Sequence, residues 1–262
     1  MKNKKTKWTN YEFYKKNGYC IFNLFNKSDI NLMRKILIKR INFLGKRKIF
    51  DLNIYKLEKY HKLVDYKKLH NQLMHPDTRY IKFPARIVKK ILSPDVLFLF
   101  EKDWGHTYCA STFVGNAAKK NYIKNNAAGF RLARPKINKD VAQEHLDVNY
   151  GGKVVNDFSL TKTIWIPLFG FSSKYTVRFA PKSHHFSHKA SLIKRGGKVT
   201  QSFSKKYVSK FKFIQPNLNI GQAVLLDPNI LHGGSKNRGT LSRVSLNCSI
   251  FNLKRLRERI VE

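Results

Sequence analysis

The sequence has few acidic residues, few cysteines and no long apolar run. Its 262 residues include 16 Asp and Glu against 52 Lys and Arg, which gives a formal net charge of +36. Cys20, Cys109 and Cys248 form no C-x-x-C pair, so we expect reduced core thiols and no disulfide framework. No stretch approaches the roughly 20 apolar residues of a membrane span, and no apolar signal segment follows the basic N-terminus. We therefore predict a cytoplasmic protein without a membrane span.

The excess of basic residues has two interpretations. A basic surface attracts phosphate backbones, which would indicate a nucleic-acid-binding protein. However, 38 of the 52 basic residues are Lys, spread almost evenly along a chain also rich in Asn, Ile, Phe and Tyr, which is typical of A/T-rich coding. We therefore favour a compositional origin over a nucleic-acid partner. A basic surface would still steer an anionic small molecule to the protein.

Hydrophobic residues make up 42% of the chain and aromatic residues 13%, which predicts one globular domain over residues 1–262. Helical periodicity dominates up to about residue 103. We predict a strand over Tyr19–Phe25 and helices from a capping box at Thr9 to Gly18, from Ser28 to Gly45, and over Ile54–Leu73, Pro84–Ile91 and Pro94–Phe100.

From about residue 104 the periodicity becomes that of strands. These are predicted over Thr107–Val114, Gly129–Arg134, Leu160–Leu168, Tyr175–Phe179, Gly221–Leu226 and Leu241–Phe251. Helices followed by strands predict a mainly β protein whose core, about residues 104–252, is a double-stranded β-helix (jelly roll, cupin-like). Residues 188–213 form a basic insertion, interpreted either as a solvated loop or as a lid or anion-attracting edge near the mouth of the barrel. A basic turn or short helix is predicted over Leu253–Val261.

His145 and Asp147 stand two residues apart in Gln143–Gly152. On an extended strand both side chains would project from one face. A neutral imidazole and a carboxylate directed at one point supply two thirds of the 2-His-1-carboxylate triad that binds non-haem Fe(II) and leaves positions open. His232, just after the apolar segment Ala223–Leu226, is the candidate third ligand. Alone, an H-x-D pair is more often two solvated or hydrogen-bonded residues, so the residues that follow decide its interpretation.

Two polar residues follow His232 on one face of the last predicted strand. Arg243 and Ser245 come 11 and 13 residues after it, with apolar residues between and beside them. A guanidinium group with a hydroxyl beside it suits a carboxylate, which the guanidinium can bind through two hydrogen bonds. Taken alone, Arg243 would be a surface salt-bridge residue. Arg131 and Arg134 fall on opposite faces of an earlier strand, so at most one should point inward.

These motifs together resemble a known enzyme family. The chain resembles the phytanoyl-CoA dioxygenase group of Fe(II)/2-oxoglutarate-dependent oxygenases over about Gly18–Phe251. The motifs that carry the resemblance are His145-x-Asp147, Trp165-Ile166-Pro167-Leu168, Phe179-Ala180-Pro181-Lys182-Ser183-His184, His232 and Arg243-x-Ser245. The resemblance implies that His145, Asp147 and His232 bind iron. It also implies that Arg243 and Ser245 bind the distal carboxylate of 2-oxoglutarate, with Thr163 or Trp165 beside this co-substrate.

The implied reaction is hydroxylation of a small or carrier-linked substrate by O2, with decarboxylation of 2-oxoglutarate to succinate; the basic charge of the chain would favour an anionic one. Iron halogenases of this architecture replace the carboxylate ligand by Ala or Gly, whereas this chain retains Asp147. Two positions depart from the family pattern. Lys182 stands where the family usually has Gly, in Pro-Gly-Ser-His, and Gly234 stands where a polar residue often follows the distal histidine.

Three alternatives remain open. His184, His185 and His188 form a second histidine cluster that could bind a metal, although no carboxylate lies nearby in sequence. The chain could instead be a nucleic-acid-associated oxygenase or a basic nucleic-acid-binding protein. It could also be an inactive jelly-roll binding module. The sequence indicates neither the substrate nor the oligomeric state.

Overall fold

The computed structural model of the chain describes residues 2–46, 53–63, 68–103, 105–115, 121–148, 160–172, 174–195, 198–256 and 260–261. Within these ranges, helices dominate the first hundred residues and strands the remainder, as the periodicity predicts. None of the described helices combines the length and the hydrophobicity needed to cross a membrane.

Seven α-helices lie in the described part of the chain. They are α1 (Lys2–Asn17), α2 (Lys27–Leu44), α3 (Tyr60–Leu63), α4 (Lys68–Leu73), α5 (Ala85–Ile91), α6 (Pro94–Leu97) and α7 (Lys205–Val208). α2 buries Ile30, Met33, Leu37 and Ile41 on one face because these residues recur at helical spacing. The same apolar core contains Leu246 of the sheet, so this face of α2 packs towards the strands.

Two predicted helix starts are wrong. α1 already runs through Thr9, so the capping box predicted there opens no helix. At the start of α2, the Asn26 side chain accepts a hydrogen bond from Asp29 N, and the Asp29 carboxylate accepts one from Asn26 N. This reciprocal capping box, and not Ser28, sets the first turn.

The stretch Ile54–Leu73 is not the single helix that its spacing predicts. A 3-10 turn at Leu57–Lys59 precedes α3 and α4, and residues 64–67 lie outside the described part. The helix predicted to reach Phe100 becomes a 3-10 segment after Leu97. Towards the C-terminus, Leu253–Arg255 forms a 3-10 turn, whereas residues 257–259 lie outside the described part.

Thirteen strands lie in the described part of the chain. They are β1 (Tyr19–Asn23), β2 (Tyr80–Lys82), β3 (Tyr108–Gly115), β4 (Asn121–Asn125), β5 (Ala127–Ala133), β6 (Lys162–Phe169), β7 (Val177–Phe179), β8 (Ser191–Arg195), β9 (Lys198–Ser202), β10 (Gln222–Leu226), β11 (His232–Gly234), β12 (Arg243–Asn252) and β13 (Ile260–Val261). The seven predicted strands correspond to β1, β3, β5, β6, β7, β10 and β12. The other six were not predicted because they are short or lack clear alternation.

The larger sheet has nine strands. β1, β10, β6, β12, β3, β4 and β13 are successive neighbours, while β5 pairs with both β12 and β2. Its pairs are antiparallel except β13 with β4. β12 is the central strand, and Val244, Leu246 and Ile250 on one of its faces join the core shared with the helices. Arg243 and Ser245 therefore occupy the opposite face.

A smaller sheet lies against that opposite face. β7 and β11 pair antiparallel, and isolated bridges add His145 and Ile214 at either side. Trp165 and Val224 of the larger sheet share an apolar cluster with Phe179 of the smaller one. Two facing, mainly antiparallel sheets backed by N-terminal helices make a jelly roll, and the predicted fold class is confirmed.

The basic insertion at residues 188–213 contains a hairpin, β8–β9, followed by α7. Residues 196–197 lie outside the described part. Phe203 and Phe211 pack against Leu146 and Leu231, which neighbour the candidate ligands. A wholly solvated loop is therefore the wrong interpretation, since this insertion contacts the candidate site.

Candidate metal centre

His145, Asp147 and His232 converge on one point between the two sheets. One ligand atom from each lies within 4.8 Å of the other two. Nε2 of His145 is 3.7 Å from Oδ1 of Asp147, and Nε2 of His232 is 3.7 Å from Oδ2 of the same carboxylate. Among the described residues this is the only group of three or more His, Cys, Asp or Glu side chains close enough to bind one metal ion.

The backbone brings the two histidines together through the smaller sheet. His145 N donates to His232 O at 2.8 Å, and His232 N donates back to His145 O at 3.1 Å. Asp147 does not continue a strand and lies in a turn. The expectation that His145 and Asp147 share an extended strand is therefore wrong. Their side chains still face the same point, because the bridge orients one and the turn orients the other.

Both imidazoles are held in the tautomer that leaves Nε2 available to a metal ion. Nδ1 of His145 lies 2.7 Å from Gln143 O, and Nδ1 of His232 lies 3.0 Å from Ile230 O. A carbonyl oxygen only accepts, so each Nδ1 carries the proton and donates it. The lone pair of each ring is consequently on Nε2, the atom that faces Asp147. A backbone carbonyl on the remote ring nitrogen is the usual companion of a metal-binding histidine.

The charge states of His145 and Asp147 match those of metal ligands. Burial, followed by the charge of His232, lowers the pKa of His145 to about 4, so its imidazole is neutral near pH 7. Burial alone would raise the pKa of Asp147, but His232, His145 and a hydrogen bond from Thr163 outweigh it and lower that pKa. Asp147 is therefore an ionised carboxylate.

Thr163 orients the carboxylate. Its Oγ1 donates to Asp147 Oδ2 at 2.5 Å and lies 3.3 Å from Ser249 Oγ of the neighbouring strand. Thr163 also lines the cavity that contains Asp147. Trp165, two residues further along β6, is 5% exposed and packs in the apolar cluster with Phe179. It is not among the described residues that line the cavity.

Arg243 and Ser245 are buried on the face of β12 that looks towards the smaller sheet. Nη1 of Arg243 donates to Tyr175 O at 2.5 Å and to Ser235 O at 2.9 Å. Burial lowers the pKa of Arg243 to about 10, so it remains cationic near neutral pH. Its Nε and the hydroxyl of Ser235 are buried polar atoms without a hydrogen-bond partner. A buried donor in that state is costly unless a ligand completes its hydrogen bonding.

The turn before the second histidine cluster contacts the backbone of Leu231, the residue that precedes His232. The Ser183 hydroxyl, which is fully buried, accepts a hydrogen bond from Leu231 N at 2.8 Å. Lys182 has φ +67, a left-handed conformation in which glycine is favoured. The departure from Pro-Gly-Ser-His at Lys182 therefore introduces backbone strain but keeps the contact beside His232.

The second histidine cluster is arranged differently. Nε2 of His184 and of His185 lie 2.9 and 3.3 Å from the carbonyls of Lys15 and Lys16 in α1. Nε2 of His188 lies 2.7 Å from Ser183 O. Nε2 of each is thus occupied by a backbone carbonyl, and no described carboxylate joins the three in a metal-binding group. The alternative of a metal site at these histidines finds no support.

A cavity of about 1730 Å³ opens beside the triad. Its lining includes two acidic residues, Glu144 and Asp147, and eight basic ones, namely Arg79, Arg131, Lys139, Lys174, Arg178, Lys205, Lys236 and Arg238. Arg131 points inward, whereas Arg134 pairs with Asp140 at 2.7 Å, so the prediction that at most one of the two arginines points inward is confirmed. The sequence carried no signal for Arg79.

Comparison with known proteins supports the fold. Neither a protein-family model nor a curated protein sequence matches the chain. Among solved structures, the non-heme alpha ketoglutarate dependent carbocyclase SnoK from nogalamycin biosynthesis aligns with a TM-score of 0.54 at 13% identity, over 92% of this chain and 82% of its own.

Two further structures are similarly related. The epimerase SnoN, in complex with Fe3+, alpha ketoglutarate and nogalamycin RO, has a TM-score of 0.54 at 11% identity, over 95% of this chain and 84% of its own. EctD from S. alaskensis, in its apoform, has a TM-score of 0.57 at 10% identity, over 94% of this chain and 76% of its own. At these identities the similarity establishes a shared fold.

Proposed function

We propose that this chain is an Fe(II)- and 2-oxoglutarate-dependent dioxygenase similar to the phytanoyl-CoA dioxygenase group. The observation that carries the proposal is the convergence of His145, Asp147 and His232 inside a jelly roll, with both imidazoles presenting Nε2 towards one carboxylate. Two imidazoles and one carboxylate suit Fe(II) and leave coordination positions for other ligands. SnoN, which has the same fold, was crystallised with Fe3+ and alpha ketoglutarate.

The proposed 2-oxoglutarate site lies around Arg243. Its guanidinium group would bind the distal carboxylate, with Ser245 next to it on the same face of β12, and the unpartnered Nε of Arg243 fits an incoming acceptor. Thr163 is proposed to line this site as well as to orient Asp147. For Trp165 we propose an indirect part, because it packs against β7 and so supports the wall of the site.

The bound metal and 2-oxoglutarate would supply oxygen activation, with 2-oxoglutarate oxidised to succinate and CO2 and one oxygen atom incorporated into the substrate. The protein's own residues perform the remaining tasks. Gln143 O and Ile230 O keep the imidazole protons on Nδ1, and Thr163 keeps the carboxylate rotated towards the histidines. The apolar wall around Phe179 excludes water on one side.

We further propose hydroxylation as the outcome, on a small or carrier-linked anionic metabolite. Retention of Asp147 supports hydroxylation over halogenation. The site draws on both sheets and on the insertion, which supports a single functional unit over residues 1–262, with a helical part to about 103, a core over about 104–252 and the insertion at 188–213. A cytoplasmic location remains part of this proposal, since a reducing setting suits ferrous iron.

The test is an anaerobic titration of the metal-free protein with Fe(II) and 2-oxoglutarate. The parent protein should show the visible charge-transfer band of 2-oxoglutarate bound to ferrous iron, and His232→Ala should lose it. His184→Ala is the matched control, since it also removes an imidazole but lies outside the triad. An unchanged band in His232→Ala would remove that residue from the site. Admitting O2 and measuring succinate would separate an enzyme from an inactive jelly-roll module.

A further inference from the structure

Among its basic residues, the cavity lining is richer in arginine than the chain as a whole. Arg supplies 14 of the 52 basic residues in the sequence but four of the eight in the cavity lining. Lysines on a solvated surface would follow from composition alone. Arginines gathered in a cavity are the residues that recognise oxyanions through paired hydrogen bonds.

Two of these arginines lie next to each other on the larger sheet. Arg131 is in β5, opposite Ser245 of β12. Arg79 directly precedes β2, which pairs with the other edge of β5, and its carbonyl accepts a hydrogen bond from Phe130 N at 3.0 Å. Burial, and then the charge of Arg131, hold the pKa of Arg79 well below its usual range. Two like charges in partly desolvated positions favour an anion between them.

Arg79 is a strand further from the proposed 2-oxoglutarate site, whereas Arg131 borders that site opposite Ser245. The order of strands is β12, β5, β2, so Arg79 lies on the far side of Arg131 from Arg243. 2-Oxoglutarate has one distal carboxylate, and the proposed function assigns it to Arg243. Of the two acidic residues in the lining, Glu144 pairs with Arg178, whereas Asp147 faces the histidines and also interacts electrostatically with Arg131.

We propose that Arg79 and Arg131 form a subsite for an oxyanion, phosphate or carboxylate, carried by the primary substrate. This inference rests on the proposed function and names the substrate class. The anion would lie over β5 and β2, within the same cavity as the triad, which leaves the remainder of the substrate to reach the metal.

Inorganic pyrophosphate is the probe for the subsite. Calorimetric titration of the metal-free protein at physiological salt should give one binding site. Arg79→Gln and Arg131→Gln should each weaken it by about tenfold or more, because a charged hydrogen-bonding partner is lost. Arg255→Gln is the control, since it removes the same charge from an exposed position after β12. Equal affinity in all four proteins would overturn the subsite.

A second experiment distinguishes an oxyanion of the primary substrate from the distal carboxylate of 2-oxoglutarate. The dissociation constant of 2-oxoglutarate, read from the anaerobic ferrous band, should rise in Arg243→Gln and stay unchanged in Arg79→Gln. If Arg79→Gln and Arg131→Gln weaken 2-oxoglutarate and leave pyrophosphate unaffected, the pair serves the co-substrate and the proposal is wrong. If pyrophosphate binds but the charge-transfer band of 2-oxoglutarate with ferrous iron is absent, the proposed function is wrong and the anion subsite is retained.

A different observation concerns the residue between two ligands. Leu146 lies between His145 and Asp147, and its backbone N donates to Gln201 Oε1 at 3.0 Å while Gln201 Nε2 donates to Leu146 O at 2.7 Å. Gln201 is 3% exposed and belongs to β9 of the insertion, 55 residues away. One carboxamide thus satisfies both backbone groups of the residue that separates the ligands.

We infer that Gln201 is a positioning residue, which fixes the separation of the His145 and Asp147 side chains. The turn that contains Asp147 lacks the ladder of hydrogen bonds that a strand would provide, so this pair of contacts replaces it. The inference rests on the proposed metal centre. The insertion therefore contributes to metal binding without supplying a ligand.

The test compares Gln201→Met with Gln222→Met. Gln222 also makes two hydrogen bonds through its carboxamide, to Asn23 and Asn219, but at an exposed edge of β10. Gln201→Met should weaken Co(II) binding by about tenfold to a hundredfold, the usual cost of losing an outer partner of a metal ligand. Its Co(II) absorption spectrum should change as well. Gln222→Met should preserve both.

Gln201→Glu keeps the acceptor for Leu146 N and loses the donor to Leu146 O. This variant provides a test even if Gln201→Met does not fold. Its Co(II) affinity should fall between those of the parent and the Met variant. A lower unfolding temperature with unchanged Co(II) affinity and spectrum in either variant would make Gln201 a purely structural residue and overturn the inference.

Discussion

His145 and His232 differ from His184, His185 and His188 in the ring nitrogen that meets a backbone carbonyl. In the first pair the carbonyl lies at Nδ1, so Nε2 can face a common carboxylate. In the second group the carbonyls of Lys15, Lys16 and Ser183 lie at Nε2. The first arrangement leaves Nε2 available to a metal ion. In the second group, His184 and His185 join the turn after β7 to helix α1, and His188 contacts the turn itself.

Histidine content alone therefore does not identify a metal site. A cluster of three histidines within five residues is the denser signal in the sequence, yet the triad comes from two histidines 87 residues apart. What distinguishes the triad is a carboxylate with its own hydrogen-bond donor. The following changes test that distinction.

The largest effect should come from removing the carboxylate. Asp147→Ala should weaken Co(II) binding by more than about a hundredfold, since loss of an outer partner alone costs up to about that much. Isothermal titration of the metal-free protein measures it. His184→Ala should bind Co(II) as the parent does. Comparable losses in both variants would erase the difference between the two histidine groups.

Gly18→Ala tests the structural part assigned to the second group. Gly18 has φ +78, and a Cβ added there would meet His184 Nδ1 at 2.5 Å. We expect the free energy of unfolding to fall by about 1–3 kcal/mol, the cost of a strained left-handed residue, with unchanged metal affinity. Chemical denaturation measures the loss. Adding His184→Ala should recover the steric part of it, and no recovery would contradict the contact.

Thr163→Val examines the donor to the carboxylate. The valine keeps the shape and loses the hydroxyl that donates to Asp147 Oδ2, so Co(II) binding should weaken by about tenfold. Thr163→Ser retains the hydroxyl and should stay near the parent value. If both variants bind alike, Thr163 fills space and does not orient Asp147.

Lys182→Gly should have the smallest effect, and a stabilising one. Glycine adopts the φ of +67 without the cost that a side chain incurs, although it loses more backbone entropy on folding. The free energy of unfolding should rise by less than about 1 kcal/mol, measured in urea. Metal affinity should be unaffected, because the Ser183 contact to Leu231 N is preserved. A destabilised variant would show that the Lys182 side chain contributes contacts of its own.

The sequence predicted those features that depend on local periodicity. Alternation in β12 placed Arg243 and Ser245 on one face and Val244 with Leu246 in the core, and the structure agrees. Helical spacing likewise identified the buried face of α2. In both cases the residues that decide the outcome are within a few positions of each other.

Features that depend on distant partners could not be predicted in this way. His145 and Asp147 share no strand, and a bridge to His232 and the carboxamide of Gln201 hold them instead. Arg79 reaches the cavity only because β2 pairs with β5. The capping residue of α2 was misplaced for a smaller reason, since Asn26 and Ser28 are both good caps and only Asn26 has its partner at the required spacing.

The central position of β12 bears on how the chain is synthesised. β12 pairs with β3, β5 and β6, strands that precede it by about 80 to 140 residues, so the larger sheet stays divided until residues 243–252 have left the ribosome. Long-range pairing of this kind is slow and leaves strand edges exposed in the meantime. Nascent chains of this protein should therefore require protection from aggregation until β12 has been translated.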